Sequence, residues 1–238
     1  MEKSSVTSPS LLRLGGIAGI IAGLCILTYF IVSQSLGFMF TPEVLTGGSI
    51  DPWIERINEN SQLARLLSVL PIIGFSSILV IGSSLFLQIN NSSWQKYLAI
   101  IGYLIGVPVV VVTFVSHLSL VNQLITLSSQ GIEINDQIRI FTAFKMHHFM
   151  IINFAIGPIF IIILGNTFIA WSALKHNVLP NWLCYWAFFN GSLILIGIFS
   201  VFFPVLQFAQ IGGPLTMLWF ITTGFTLLKR SGKSTIRS

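Results

Sequence analysis

The sequence predicts an all-α fold, a polytopic membrane protein built as a bundle of six transmembrane helices. Of its 238 residues, 54% are hydrophobic and only 8% are charged, whereas soluble domains carry about 25% charged residues. A single soluble core cannot bury this much apolar surface. The alternating ten-residue pattern typical of membrane β-barrels is absent from the sequence. We therefore expect one transmembrane domain over residues 1–238.

Six apolar runs account for most of the chain, and each is long enough to cross a membrane. A hydrocarbon core is roughly 30 Å thick, and a helix needs about 20 residues to span it. Because backbone groups cannot stay unpaired in lipid, each run is expected to be helical. The predicted spans are residues 14–38, 63–87, 97–120, 149–171, 182–203 and 212–228. Residues 39–62 and 121–148 are then two long outer connections.

The first span could be mistaken for a secretory signal, because Lys3 and Arg13 precede its apolar run. That run is longer than the roughly 7–15 apolar residues of a signal peptide, and no small-residue cleavage site follows it. We therefore predict an uncleaved span. In the next connection, "SIDPWIERINEN" predicts a short helix, because Asp51 can cap it and Pro52 suits the first helical position.

The distribution of basic residues predicts the orientation, because cytoplasmic segments are enriched in Lys and Arg. With a cytoplasmic N-terminus, eight basic residues lie inside and four outside, and both termini are cytoplasmic. The inner residues are Lys3, Arg13, Lys96, Lys175, Lys229, Arg230, Lys233 and Arg237, and the outer ones are Arg56, Arg65, Arg139 and Lys145. Six of the seven acidic residues then lie outside as well.

Small residues recur at similar places in the odd-numbered spans and predict three repeated helical hairpins. Such stripes let helix backbones approach closely. We expect them to serve packing within the chain; contacts in a homo-oligomer or with other membrane subunits are the alternative use. The residues are Gly15, Gly19 and Gly23 in the first span, Gly102 and Gly106 in the third, and Ala187 and Gly191 in the fifth.

Prolines interrupt three successive spans. Pro71, Pro108 and Pro158 lie within the second, third and fourth spans. A proline inside a helix removes a backbone hydrogen bond and tends to kink the helix. Three kinks in neighbouring helices could open a cavity, so a small-solute transporter is one alternative function; kinks absorbed by neighbouring helices are the plainer interpretation.

Several stretches resemble a known family. The segments "WSALKHNVLPNWL" and "GGPLTMLWFITTGFTLLKR" in the second half resemble an uncharacterised bacterial family of six-helix integral membrane proteins, grouped as a domain of unknown function. The segment "LARLLSVLPIIG" is similar to the second helix of that family. The resemblance implies the six-helix fold and a location in the bacterial plasma (inner) membrane, and it implies no catalytic residues.

The spans carry little reactive chemistry. None contains Asp or Glu and none has Lys near its middle, which disfavours proton pumps, cation-coupled carriers and Schiff-base pigments. Zinc-protease, hydrolase and nucleotide-binding motifs are absent from the sequence. Cys25 and Cys184 are isolated within apolar runs. We expect no metal, no cofactor, no nucleic-acid partner and, on balance, no enzyme.

Polar residues instead gather at the predicted outer boundary of the spans, in and around the stretch "FKMHHFMIIN". Lys145 and His148 are three residues apart and share a helix face, whereas His147 points elsewhere. Arg65 and His117 are predicted at the same depth, and Asn153 lies one turn deeper on the fourth span. Arg65, His117, Lys145, His148 and Asn153 are therefore our candidate ligand-binding residues.

Three interpretations of this outer rim stay open. The cations could form a collar whose side chains reach the interface. They could bind an anion or an anionic lipid headgroup. His117 with His147 or His148 could ligate haem. The leading hypothesis is a non-enzymatic, ligand- or lipid-responsive or accessory protein of the bilayer; a transporter and a haem-binding redox protein are the alternatives.

Overall fold

A computed structural model describes residues 8–38, 50–89, 93–132, 134–199, 209 and 211–235. Within these residues all regular secondary structure is helical. The helices are α1 Pro9–Ser35, α2 Asp51–Glu59, α3 Ser61–Gln88, α4 Trp94–Ser129, α5 Asp136–Ile151, α6 Phe168–Lys175, α7 Asn181–Ile198 and α8 Gly212–Thr235, and π-helical segments cover Ile152–Ile156 and Ile159–Thr167. Lys3, Glu133, Arg237, residues 39–49 and the predicted end of the fifth span at 200–203 lie outside the described residues, as does the Lys233 side chain.

Four of the described helices, α1, α3, α4 and α7, are long and apolar enough to cross a membrane. A shorter apolar stretch, Ile159–Lys175, follows α5. The other predicted spans, 149–171 and 212–228, fall on the chain from α5 to α6 and on α8. The all-helical architecture was thus predicted correctly, whereas the count of six crossings and the three repeated hairpins stay predictions.

α5, the two π-helical segments and α6 follow one another without a break, and we call this stretch from Asp136 to Lys175 the α5–α6 column. Pro158 lies between the two π-helical segments, where the wider turn changes which carbonyls are paired. In the second segment the Thr167 hydroxyl donates to the carbonyl of Ile162 at 3.1 Å. Pro71 and Pro108, in contrast, lie inside α3 and α4, which continue as α-helices through them.

The long helices pack side by side in a closed ring. In order around the ring, the neighbours are α1, α3, α4, the α5–α6 column, α7 and α8, and α8 packs against α1 again. Ring neighbours run antiparallel. For example, Gly16 near the start of α1 contacts Leu228 near the end of α8, and Gly23 contacts Met217 further back. Short connections between consecutive helices favour this arrangement.

Glycines lie where these helices come closest. A Cβ on Gly15 would be 2.5 Å from the Cβ of Ser84 on α3, and one on Gly23 would be 2.5 Å from the Met217 carbonyl oxygen on α8. Gly102 and Gly106 face the second π-helical segment at similar distances. The absence of a side chain therefore sets the helix spacing at these contacts.

The interior of the ring is filled by large side chains, and the outside is apolar as well. Trp219, Tyr103, Phe114 and Phe220 are among the largest fully buried residues. On the outside, Val112 is 66% exposed, and it is one of many aliphatic and aromatic residues that point away from the bundle. A surface this apolar is expected of helices in contact with lipid rather than water.

A short amphipathic helix closes one end of the bundle, which we call the α2 end. The buried face of α2 consists of Trp53, Ile54 and Ile57. The Trp53 indole donates to the carbonyl of Phe38 at 3.0 Å, and Arg56 donates to the carbonyl of Gly37 at 3.0 Å. α2 is thus held by apolar burial together with hydrogen bonds to the end of the α1 region.

At the same end, α4 and α5 form a helical hairpin rather than the long loop expected over residues 121–148. α4 continues to Ser129, and the chain reverses at Gly131, whose φ of +68° favours glycine. α5 then begins at Asp136, capped by the Asn135 side chain, which accepts from the Ile138 amide at 3.0 Å. We call residues 118–148 the α4–α5 hairpin.

Polar contacts tie the helix ends together at the opposite end of the bundle. The Lys96 ammonium, largely buried, donates to the Ile89 carbonyl at 2.7 Å and lies 4.6 Å from the centre of the Phe86 ring. Ser93 and Ser172 share a hydrogen bond of 2.7 Å between their hydroxyls. The described cations of this end belong to α1, α4, α6 and α8.

Candidate functional site

His117 lies at the point where three elements of the α2 end meet. Its side chain extends from α4 and is 9% exposed. The imidazole stacks on the ring of Phe149 from the α5–α6 column, with centroids 4.6 Å apart and planes inclined by 29°. The ring of Trp53 on α2 lies 6.0 Å from it on a tilted plane. A displacement of any one of these helices would therefore change the packing of the imidazole.

Two buried polar atoms beside Phe149 have no hydrogen-bond partner in the described chain. They are Nδ1 of His117 and Oδ1 of Asn153. Asn153 belongs to the first π-helical segment, and its amide nitrogen donates to the Phe149 carbonyl at 2.9 Å. Buried polar groups are nearly always paired, so unpaired ones mark places where water or a ligand can supply the partner.

Aromatic rings seal the bundle directly beneath His117. Phe114 meets Phe149 edge to face at 5.0 Å and Tyr29 at 5.3 Å, and it stacks on Phe75 at 5.7 Å between centroids. These four rings come from four different neighbours in the ring of helices. This aromatic packing gives no support to a polar path through the bundle, and the transporter alternative is not favoured.

Three of the candidate residues, Arg65, Lys145 and His148, lie at the surface of the α2 end. Arg65 on α3 and His148 on α5 are exposed, and Lys145 is partly exposed with its ammonium 5.5 Å from the Phe141 ring. Among the described residues, no hydrogen bond or ion pair joins these three side chains to one another. His147 is also exposed, beside His148.

An exposed ion pair links α2 to α5. The Arg139 guanidinium contacts the carboxylate of Asp51 at 2.9 Å and that of Asp136 at 3.2 Å. The hydrogen bond that Arg139 donates to Asp136, together with the negative charge of Asp51, raises the pKa of Arg139 above its ordinary value. Both carboxylates lie in the first turn of a helix, where the helix dipole also favours negative charge.

Histidine ligation of haem is not favoured by this geometry. His117 is enclosed between Trp53 and Phe149, whereas His147 and His148 lie on the exposed surface of α5. In the part of the chain that the structure describes, no three His, Cys, Asp or Glu side chains are grouped as metal ligands would be.

The sequence did not indicate that Trp53 and Phe149 are the neighbours of His117. Trp53 follows Pro52 in the first turn of α2, and its spacing from Ile54 and Ile57 shows one apolar face. That pattern predicts that α2 docks somewhere on the bundle, yet it does not say against which residue. Phe149 is one of many aromatic residues in apolar runs, and no sequence signal distinguishes it.

Comparison with known proteins adds a family but no activity. The profile of a domain of unknown function, DUF4386, matches residues 21–228. The chain belongs to this family. The match runs from α1 to α8 and includes all five candidate ligand-binding residues, and it confirms the resemblance inferred from the sequence. No curated protein and no solved structure matches the chain.

Proposed function

We propose that the chain is a non-enzymatic, multi-pass protein of the bacterial plasma membrane that responds to an anionic lipid or small anion at its outer, α2 end. The proposed site consists of the surface residues Arg65, Lys145 and His148, with His117 and Asn153 behind them. Lysine and arginine recognise phosphate and carboxylate groups through charge-assisted hydrogen bonds.

The stacking of His117 on Phe149 is the observation that carries the proposal. Lys145 and His148 precede Phe149 within the same helical turn of the column. A ligand bound to these two side chains would therefore shift the backbone that positions Phe149. Phe149 in turn contacts His117, and His117 lies beside Trp53 of α2. A binding event at the surface thus has a contiguous route to the buried imidazole and to α2.

We further propose that the chain crosses the membrane six times, with both termini in the cytoplasm. The α5–α6 column and α8 occupy two of the six places in the antiparallel ring. Lys96, Lys175 and Arg230 belong to helix ends opposite α2, and Asp51 and Asp136 belong to the α2 end. Basic residues concentrated at the end opposite α2 support a cytoplasmic position for that end.

Binding of a short-chain anionic phospholipid tests the proposed site. The protein in nanodiscs of zwitterionic lipid is titrated with dihexanoylphosphatidylglycerol and, separately, with inorganic phosphate. The triple variant Arg65→Ala, Lys145→Ala and His148→Ala should bind at least about tenfold more weakly, as expected for the loss of charge-assisted hydrogen bonds. His147→Ala is the matched control on the same helix and should bind as the wild type does.

The response itself is measured separately from binding. Tryptophan fluorescence should change when the phospholipid binds, and the change should be absent in Trp53→Phe while the affinity stays within about twofold. If the triple variant binds both anionic probes as tightly as wild type, the outer-rim site is abandoned. If binding persists without any change at Trp53, the route through His117 is abandoned.

A further inference from the structure

Two adjoining cavities lie along α4 and the α4–α5 hairpin. The five candidate ligand-binding residues named above line neither of them. The larger, which we call the groove, has a volume of about 640 Å³ and runs along α4 from Val115 to Leu127. The smaller, which we call the recess, has a volume of about 240 Å³ and lies between α4 and α5. Gln123 and Leu127 line both cavities, so the two are continuous around these side chains.

Among the residues that the structure describes, no charged residue lines either cavity. Leu120, Leu124 and Phe141 form apolar walls of the recess. The described polar residues of the lining carry amides and hydroxyls, namely Gln123, Gln137 and Thr142 in the recess and Ser119, Asn122, Gln123 and Thr126 in the groove. This combination of apolar walls with a few neutral hydrogen-bonding groups is characteristic of small-molecule sites, whose volumes are about 300–1,000 Å³.

Thr142 provides an independent sign of a ligand. It lines the recess, its residue is 0% exposed, and its Oγ1 has no hydrogen-bond partner in the described chain. A threonine in a helix ordinarily bonds to the carbonyl one turn earlier, as Thr113 does to Val109 at 2.8 Å. A buried hydroxyl without this bond is an available donor and acceptor facing the recess.

We propose that the groove and the recess together bind an uncharged amphipathic molecule, with its apolar chain along α4 and its neutral hydrogen-bonding head at Thr142 and Gln137. The apolar walls accommodate the chain. Amide and hydroxyl groups satisfy a hydroxyl, ester or amide head without the counter-charge that an ionic head needs when it leaves water. The site uses none of the cations of the proposed outer-rim site.

The position of the hairpin is consistent with such a ligand. α4 has 36 residues, which at a rise of about 1.5 Å per residue is about 54 Å, well beyond a core of roughly 30 Å. With Trp94 at one membrane boundary, Val115 lies near the other, and the rest of α4 stands outside the hydrocarbon. The groove therefore begins where an amphipathic molecule would leave the bilayer and ends in the recess.

Protection of a cysteine in the shared lining tests this inference. Gln123→Cys is reacted with a neutral thiol reagent in nanodiscs, with and without 1-decanoylglycerol as the probe. Ser128→Cys, exposed on the same hairpin but outside both linings, is the matched reporter, and wild-type protein measures the reaction of Cys25 and Cys184. The probe should slow labelling of Gln123→Cys and leave Ser128→Cys unchanged.

The head chemistry is tested with charged probes of equal chain length and with an isosteric variant. Decanoate and decyltrimethylammonium should protect Gln123→Cys at least about tenfold more weakly than 1-decanoylglycerol. Thr142→Val should weaken protection by the neutral probe about three- to tenfold, as expected for one lost hydrogen bond. Thr113→Val, which removes a hydroxyl already bonded within its helix, should leave the protection unchanged.

Three results would overturn the inference. Equal slowing at Gln123→Cys and Ser128→Cys would mean a general effect of the probe on the bilayer. Protection by decanoate as strong as that by 1-decanoylglycerol would show that the site accepts an ionic head, for which Lys145, 5.5 Å from the Phe141 ring, is a candidate partner on α5. Unchanged protection in Thr142→Val would show that the head group of the ligand does not bind in the recess.

Discussion

Tyr103 packs its ring into a gap between two glycines of neighbouring helices. A Cβ on Gly82 of α3 would be 2.6 Å from Cδ2 of this ring, and a Cβ on Gly165 of the α5–α6 column would be 2.5 Å from Cε1. The Tyr103 hydroxyl donates to Oδ1 of Asn166 at 2.7 Å. The ring is thus enclosed on two sides and fixed at its tip, so it cannot move away from one glycine without meeting the other.

Gly165→Ala and Gly82→Ala should each destabilise the protein by about 1–3 kcal/mol, because an added methyl group overfills a closed site. The measurement is the apparent Tm of the purified protein in detergent. Gly213→Ala is the control, because nothing lies within 4 Å of the Cβ it would add. An unchanged Tm in Gly165→Ala would mean that the ring of Tyr103 has room to shift.

At the scale of elements, α2 is attached to the bundle in two ways of unequal strength. Trp53, 4% exposed, inserts beside His117 and bonds to the Phe38 carbonyl. The Asp51–Arg139 pair lies on the exposed surface, where exposed ion pairs contribute little because water and salt screen them. We therefore attribute the docking of α2 to burial rather than to charge.

Trp53→Ala should release α2, whereas Arg139→Ala should leave it docked. Loss of a buried tryptophan costs about 3–5 kcal/mol, enough to undock a nine-residue helix. Amide hydrogen exchange over residues 51–59 measures the docking.

The pKa of Arg139 is raised, so the contribution of its ion pairs to docking is present below the ordinary pKa of arginine. That contribution is lost only when the pH rises through the raised value. The protection factor, which is the intrinsic exchange rate at each pH divided by the observed rate, should accordingly be constant across neutral pH. Lower protection in Arg139→Ala than in Trp53→Ala would reverse the assignment.

At the scale of the whole molecule, the antiparallel ring makes a definite prediction about sidedness. If every member of the ring crosses the membrane, the α4–α5 hairpin and the loop after α6 lie on opposite sides. A cysteine at Ser128 should react with a membrane-impermeant maleimide on intact cells. Lys175→Cys should react only after the membrane is opened, with the wild type as the control for Cys25 and Cys184.

The opposite labelling pattern would invert the proposed orientation and place the cation site in the cytoplasm. Labelling of both positions on intact cells would contradict an odd number of crossings between them. Either result leaves the contacts around His117 unchanged, because those contacts depend on helix packing and not on which side of the membrane the α2 end faces.

The sequence by itself determined that this is an all-helical membrane protein, and it identified the family. The apolar content and the length of the apolar runs indicate helices that cross a membrane, because in lipid each backbone segment must satisfy its own hydrogen bonds locally. The glycine pattern indicated close helix contacts within the chain. These are local properties, so they can be read from the order of residues.

Only the tertiary structure decided which side chains meet. His117 stacks on Phe149 beside Trp53, Tyr103 lies between Gly82 and Gly165, and α4 continues through a segment expected to be a loop. Each contact depends on the rotation and register of helices far apart in sequence, which are set by the sum of many small packing terms over the bundle. A local pattern does not record that sum, so the sequence could place His117 near the end of a helix but could not show that its ring packs between Trp53 and Phe149.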